Sequence, residues 1–103
     1  MYEVVFQSRF GKSEWIKPYL ANRLEELPLE GKKNIQIFCP GFSSDCLETI
    51  EEIGEESKEL FLESGGKIFH HIPCLNDKGS FISLLEKIVK NHTSKSIDYK
   101  SIL

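Results

Sequence analysis

No Cys-x-x-Cys pair occurs anywhere in these 103 residues. The chain has three cysteines, Cys39, Cys46 and Cys74. An odd set at such spacings argues against a disulfide framework and against a structural zinc site, and it fits a reducing compartment. Basic excess is missing too. Thirteen Lys and Arg face sixteen Asp and Glu, for a net charge of −3. A nucleic-acid footprint is therefore not expected. No apolar run reaches the length of a membrane span or a signal h-region, which reads as soluble and cytoplasmic. Glycine-rich phosphate loops are absent, because Pro40-Gly41-Phe42 lacks the further glycines of a dinucleotide fingerprint or a P-loop. Repeats and low-complexity stretches are absent as well. With 40% hydrophobic and 28% charged residues, the remainder is the composition of one globular domain or part of one.

Acid is what the chain concentrates. Eight of its sixteen carboxylates lie between Asp45 and Glu63, with Lys58 as the only base there. On an ideal α-helix Glu48, Glu52, Glu55 and Glu59 fall in one stripe. Cys46, Ile50, Ile53, Ser57, Leu60 and Phe61 fall in the opposite one. Like charges four apart repel by roughly 0.2–0.5 kcal/mol per pair, so the ladder costs on the order of 1–2 kcal/mol. A divalent cation or a positively charged surface would offset that cost. The commoner reading of such a run is a solvated helix face.

Around this helix the pattern alternates strand and helix. Strands are expected at 2–8, 34–39 and 67–72, and helices at 19–30, 45–63 and 80–91. Asp45 and Glu48 have capping-box spacing, and Gly65-Gly66 reads as the helix stop. Short alternating connections imply α/β architecture: a three-layer, Rossmann-like parallel sheet flanked by helices, with right-handed crossovers. The expected domain is 1–92, followed by a polar tail at 93–103. In such sheets ligands bind beyond the carboxyl ends of the strands. The loops at 7–15, 40–45 and 73–78 all fall on that edge, with the start of the acidic helix.

Several residues there have a functional and a structural reading. Glu48, Glu52 and Glu56 are spaced to hold a divalent ion or pass it along. Trp15, the single tryptophan, would stack on a flat ligand or lie as a lid over the core. Gln7, Ser8 and Arg9 end the first strand, where polar groups can fix an anionic ligand edge. His70 and His71 are adjacent, so on a strand they face opposite ways and do not share one metal easily. Cys39 and Cys46 read as small hydrophobes with no base beside them in sequence.

Three co-linear segments carry a resemblance. They are F-Q-S-R-F-G-x-x-x-W-x-x-P-Y at Phe6–Tyr19, C-P-G-F-x-x-D-C-L-E-T-x-E-E-I at Cys39–Ile53 and I-P-C-L-N at Ile72–Asn76. Together they resemble the C-terminal part of bacterial ferrochelatase, from Val4 to about His92. The resemblance implies insertion of Fe2+ into protoporphyrin IX, with iron as a substrate, porphyrin as partner and no tightly bound cofactor. It implies two Rossmann-like halves around a cleft. It makes Glu48 the acidic residue facing the porphyrin centre, binding metal or accepting pyrrole protons. Glu52 and Glu56 become outer carboxylates, a path for metal or protons. Trp15, Gln7 and Ser8 become porphyrin-side residues. The family's Ser-x-His-Gly histidine motif is not in this sequence, and His70 and His71 do not match it. Nor is the family's first half here, so the chain is expected to act with a missing N-terminal portion or through self-association. The cysteine-rich tail that binds a [2Fe–2S] cluster in some members is absent, and no cluster is expected. The alternative is an inactive piece that binds divalent cations weakly. Crowding among carboxylates is expected to raise the Glu48 pKa.

Overall fold

Two four-residue strands anchor everything else. In a computed structural model, which describes residues 1–7 and 13–96, β1 (Asn34–Ile37) pairs in parallel with β2 (Ile68–His71). The register sets Asn34 against Ile68 and Ile37 against His71. Between them the chain crosses over through a π-helical segment, Glu48–Ser57, that continues into α2 (Lys58–Glu63). Before β1 lies α1 (Leu20–Leu29), and after β2 comes α3 (Gly79–Ser96).

The strands alternate as half-buried sheets do. Ile35, Ile37, Phe69 and His71 turn inward, while Asn34, Gln36, Ile68 and His70 face out. The inward face meets a core of Leu20, Leu24, Cys39, Ile53 and Phe61, with Val5 and Phe42 packed against it. Phe61 is fully buried, and its ring lies 6.1 Å from that of Phe69 at a tilt of 49°. Burying one such side chain is worth about 1.5–3 kcal/mol. Gly65, at φ +108°, stops α2, and the Gly66 N–H returns 2.9 Å to the Phe61 carbonyl. That is the left-handed helix stop expected at these two glycines.

Four expectations need correction. The run at 2–8 is β-branched and aromatic, but its described residues form no strand. Phe6 makes a single bridge to Tyr19, giving its N–H to Pro18 and accepting from Leu20. A strand exists only with a hydrogen-bonded neighbour, and here β1 is not that neighbour. The acidic run is π-helical over ten residues rather than α-helical. Its i→i+5 bonding needs more than the about 3.6 residues per turn of an α-helix. Thr49, Ile53 and Ser57 therefore form the buried line, and Ile50 is 53% exposed rather than in the core. The capping box does not form either, because the Asp45 N–H goes to Asn76 and not to Glu48. Finally, α3 runs through Ser96 instead of ending at Asn91, so 93–96 are helical. The chain is α/β with a two-stranded parallel sheet, and among the described residues helices cover only one face of it. No described helix is long and apolar enough to cross a membrane.

Candidate functional site at the carboxyl end of the sheet

The two strands hand their chains to loops that are tied to each other. Asp45 stands at the centre. Its carboxylate accepts from the Thr49 hydroxyl at 2.9 Å, the Asn76 amide at 2.8 Å and the Cys74 N–H at 3.3 Å. Its own N–H donates to Asn76 Oδ1 at 2.8 Å. Asn76 sits at φ 53°, a conformation asparagine tolerates, and gives its N–H to the Ser43 carbonyl. Donors on three sides, Asn76 foremost, hold the Asp45 carboxyl at about 2. Thr49 completes the knot by accepting the Cys46 N–H. This network positions the first turn of the π-helical segment.

Glu48 opens that segment, exposed at the sheet's carboxyl edge. The Cys46 thiol donates to its Oε2 at 3.0 Å. That thiol, with the residue's own backbone N–H, lowers the Glu48 pKa. The expected upward shift is thus reversed: the neighbouring carboxylates lie along an open helix face, and donors reach Glu48 first. With its pKa lowered, Glu48 is the ionised carboxylate at the start of the π-helical segment.

Glu52 and Glu56 line one pocket of about 360 Å³ with Gln7, Asn22 and Tyr19. The Gln7 Nε2 is buried there without a hydrogen-bond partner. The structure therefore joins Gln7 to the two outer carboxylates, a meeting that sequence spacing did not show. Neither Glu48 nor Trp15 lines that pocket. Trp15 is exposed and outside the core, so it is no lid over it; its backbone N–H donates to the Tyr19 hydroxyl at 2.9 Å. Ser8, with Arg9, lies outside the described residues. Among the described residues no three His, Cys, Asp or Glu side chains gather as a ready-made metal cage.

His70 and His71 do face opposite ways, one exposed and one half-buried. Both border a second, open pocket of about 420 Å³ with Glu55 and Lys58. A Cβ on Gly54 would stand 3.6 Å from His71 Nδ1, an ordinary van der Waals contact, so the π-helical segment lies close on β2 with room for a methyl group. Cys39 and Cys74 are buried next to Asp45. Burial pushes the Cys74 thiol up to about 11, and Cys39 is raised for the same reason. Neither is a ready nucleophile. Sequence reasoning missed Asn76 and Asp45 as the clamp. The only signal was an asparagine placed to adopt a left-handed turn.

Fold and site together define an α/β chain that presents an acidic, widened helix at the carboxyl end of parallel strands. The chain belongs to the ferrochelatase family, whose sequence model matches residues 1–93. A protein named ferrochelatase from Yersinia enterocolitica is 52% identical over 91 residues, covering 88% of this chain and 28% of that protein. One of the same name from Vibrio cholerae is 52% identical over 87 residues, 84% of this chain and 27% of its own length. A third, from Marinobacter nauticus, is 54% identical over 91 residues, 88% of this chain and 25% of its own. This chain spans about a quarter of the length of the curated relatives it matches.

Proposed function

We propose that this chain supplies the metal- and proton-handling helix, and one cleft wall, of a ferrochelatase that inserts Fe2+ into protoporphyrin IX. In this reading it is part of one half of a three-layer, Rossmann-like sheet, completed by further polypeptide. The observation that carries the reading is the position of Glu48: first residue of the π-helical segment, exposed at the sheet's carboxyl edge, and held by a thiol donor. Insertion requires that two pyrrole protons leave and that the metal arrive with ligands it can shed. An ionised Glu48 serves both needs. It can bind the cation through oxygen, which grips iron less tightly than thiolate would. When a flat apolar ring covers it, desolvation raises its proton affinity toward that of a general base. Glu52 and Glu56, one and two helical turns further along, act as outer carboxylates beside Gln7. Trp15, Gln7 and Ser8 contribute to the porphyrin side of the cleft.

The pairing of Glu52 with Glu56 in one pocket favours a second reading, weak divalent-cation binding without insertion. One experiment separates them. Anaerobic insertion of iron or zinc into a soluble porphyrin is followed by the Soret shift, using the chain alone and the chain joined to the remaining family segments. The chain alone is expected to be inactive and the completed protein active, with Glu48→Gln abolishing turnover. Activity retained in Glu48→Gln would remove Glu48 from the mechanism. Cation affinity that falls in Glu52→Gln, with no insertion under any condition, would leave the second reading standing.

A further inference from the structure

Cys39 and Cys74 are distant in sequence and close in the fold. Each follows one of the paired strands, Cys39 after β1 and Cys74 after β2. The ladder runs one rung beyond the last register pair, Ile37 and His71, with the Ile72 N–H giving to the Ile37 carbonyl at 2.9 Å. Carried two residues on, that register sets Cys39 opposite Pro73, beside Cys74. For strands about 4.8 Å apart with a rise of about 3.3 Å per residue, such diagonal neighbours have Cα atoms roughly 5.8 Å apart. Disulfides are commonest at about 5.5–6 Å.

The two side chains are also enclosed together. Cys39 is 8% and Cys74 4% exposed. Burial raises the Cys74 thiol most, followed by its hydrogen bond to Asp45, the Asp45 charge and then the charge of Cys39 itself. Such a charge acts at short range, so both sulfurs share one enclosure under the Asp45 clamp. The loops that carry them are tied as well, the Asn76 N–H to the Ser43 carbonyl and the Cys74 N–H to the Asp45 carboxylate. Residues of this chain alone make that enclosure, whatever further polypeptide covers the sheet. Cys46 differs, being half-buried with its thiol given to Glu48.

We propose that Cys39 and Cys74 are a reversible dithiol–disulfide pair that staples the two strand-end loops when the chain meets an oxidant of the disulfide class. One thiolate attacks the oxidant's S–S bond and expels the first small thiol. The second cysteine then attacks the mixed disulfide, forms the Cys39–Cys74 bond and expels the other small thiol. Two electrons pass from the protein to the oxidant, and the two cysteine protons leave on the small thiols. The new bond closes a loop that contains the π-helical segment and α2, so Glu48 then stands on a tethered helix. A cross-link restricts the unfolded chain, so the oxidised form should be the more stable one. The raised thiols slow the exchange at neutral pH without deciding its endpoint. Neither porphyrin nor metal takes part.

The test treats the 103-residue chain with oxidised glutathione, blocks the remaining thiols by alkylation and maps the products by mass. Cleavage before Asp45 and after Lys33, Lys58 and Lys67 puts each cysteine on its own peptide. The Cys39 and Cys74 peptides should be joined, from a protein with the mass of one chain, and reductant should separate them. The urea midpoint should rise on oxidation and return on reduction. Cys46→Ser should keep the joined pair, and Cys74→Ala should leave Cys39 without it. Cys39 and Cys74 that stay alkylatable, or end only as glutathione adducts, overturn the proposal. A cross-link through Cys46 or between chains does the same, as does an identical mixture of pairs in buffer and in denaturing urea. A midpoint that falls on oxidation overturns the staple, because the bond would then strain the fold instead of bracing it.

Discussion

Asp45 shows how one residue can organise a site without being its reactive group. Its carboxyl is held at about 2 by donors from Asn76, Cys74 and Thr49. An unfolded chain would titrate it near 3.9. A depressed carboxyl stabilises the fold fully above the unfolded value and loses that contribution as pH falls to the folded one. The native chain should therefore lose stability between about pH 4 and about pH 2, and Asp45→Asn should lack that slope. Urea midpoints measured from pH 2 to 6 read this directly, and an unchanged slope in the variant would remove Asp45 as its source. The same scale explains why Glu48 was misjudged. Counting carboxylates along the sequence predicts repulsion, but a thiol two residues back decides the outcome. That donor cannot be read from charge spacing.

At the scale of elements, the legible parts were those with local chemistry. The Leu20–Leu24 spacing of α1, the alternation of β1 and β2, and the Gly65-Gly66 stop all follow from residue type and period. The stop carries a prediction. A Cβ on Gly66 would lie 2.2 Å from the Phe61 ring, which is fully buried and cannot swing away. Gly66→Ala should cost about 1–3 kcal/mol through overpacking. Phe61→Leu introduced beside it should recover part of the loss in thermal melts, and a neutral Gly66→Ala would contradict the packing. The acidic run was legible as a helix but not as a π-helix. Hydrophobic period distinguishes helix from strand, yet Ile50 and Ile53 fit an α-helical stripe just as well as Ile53 fits the wider turn. The 2–8 run was misread for a related reason: propensity names a strand, but only a neighbouring edge can make one.

At the scale of the whole molecule, the chain is an open assembly of correct parts. Among the described residues one sheet face is exposed, and α3 is exposed along most of its length. Limited trypsin digestion should reflect this. Lys87 and Lys90 on α3 should be cut well before Lys58, which belongs to the helix packed over the core. Equal rates at all three would mean that the core is no more protected than α3. The whole-molecule view also bounds the chemistry. A ring held from one side is not bent, so the Glu48 helix reaches its proposed role only inside a closed cleft.

Residue types and their spacing determined the family, the α/β class and the concentration of acid within one helix. Each of these depends on local pattern, and local pattern is written in the chain. Tertiary structure alone decided the rest. It placed Asn76 and Cys74 on Asp45 across about thirty residues, brought Gln7 beside Glu52 and Glu56, and widened the acidic helix. These outcomes depend on which surfaces meet, and meeting is a property of the folded path rather than of any window along it.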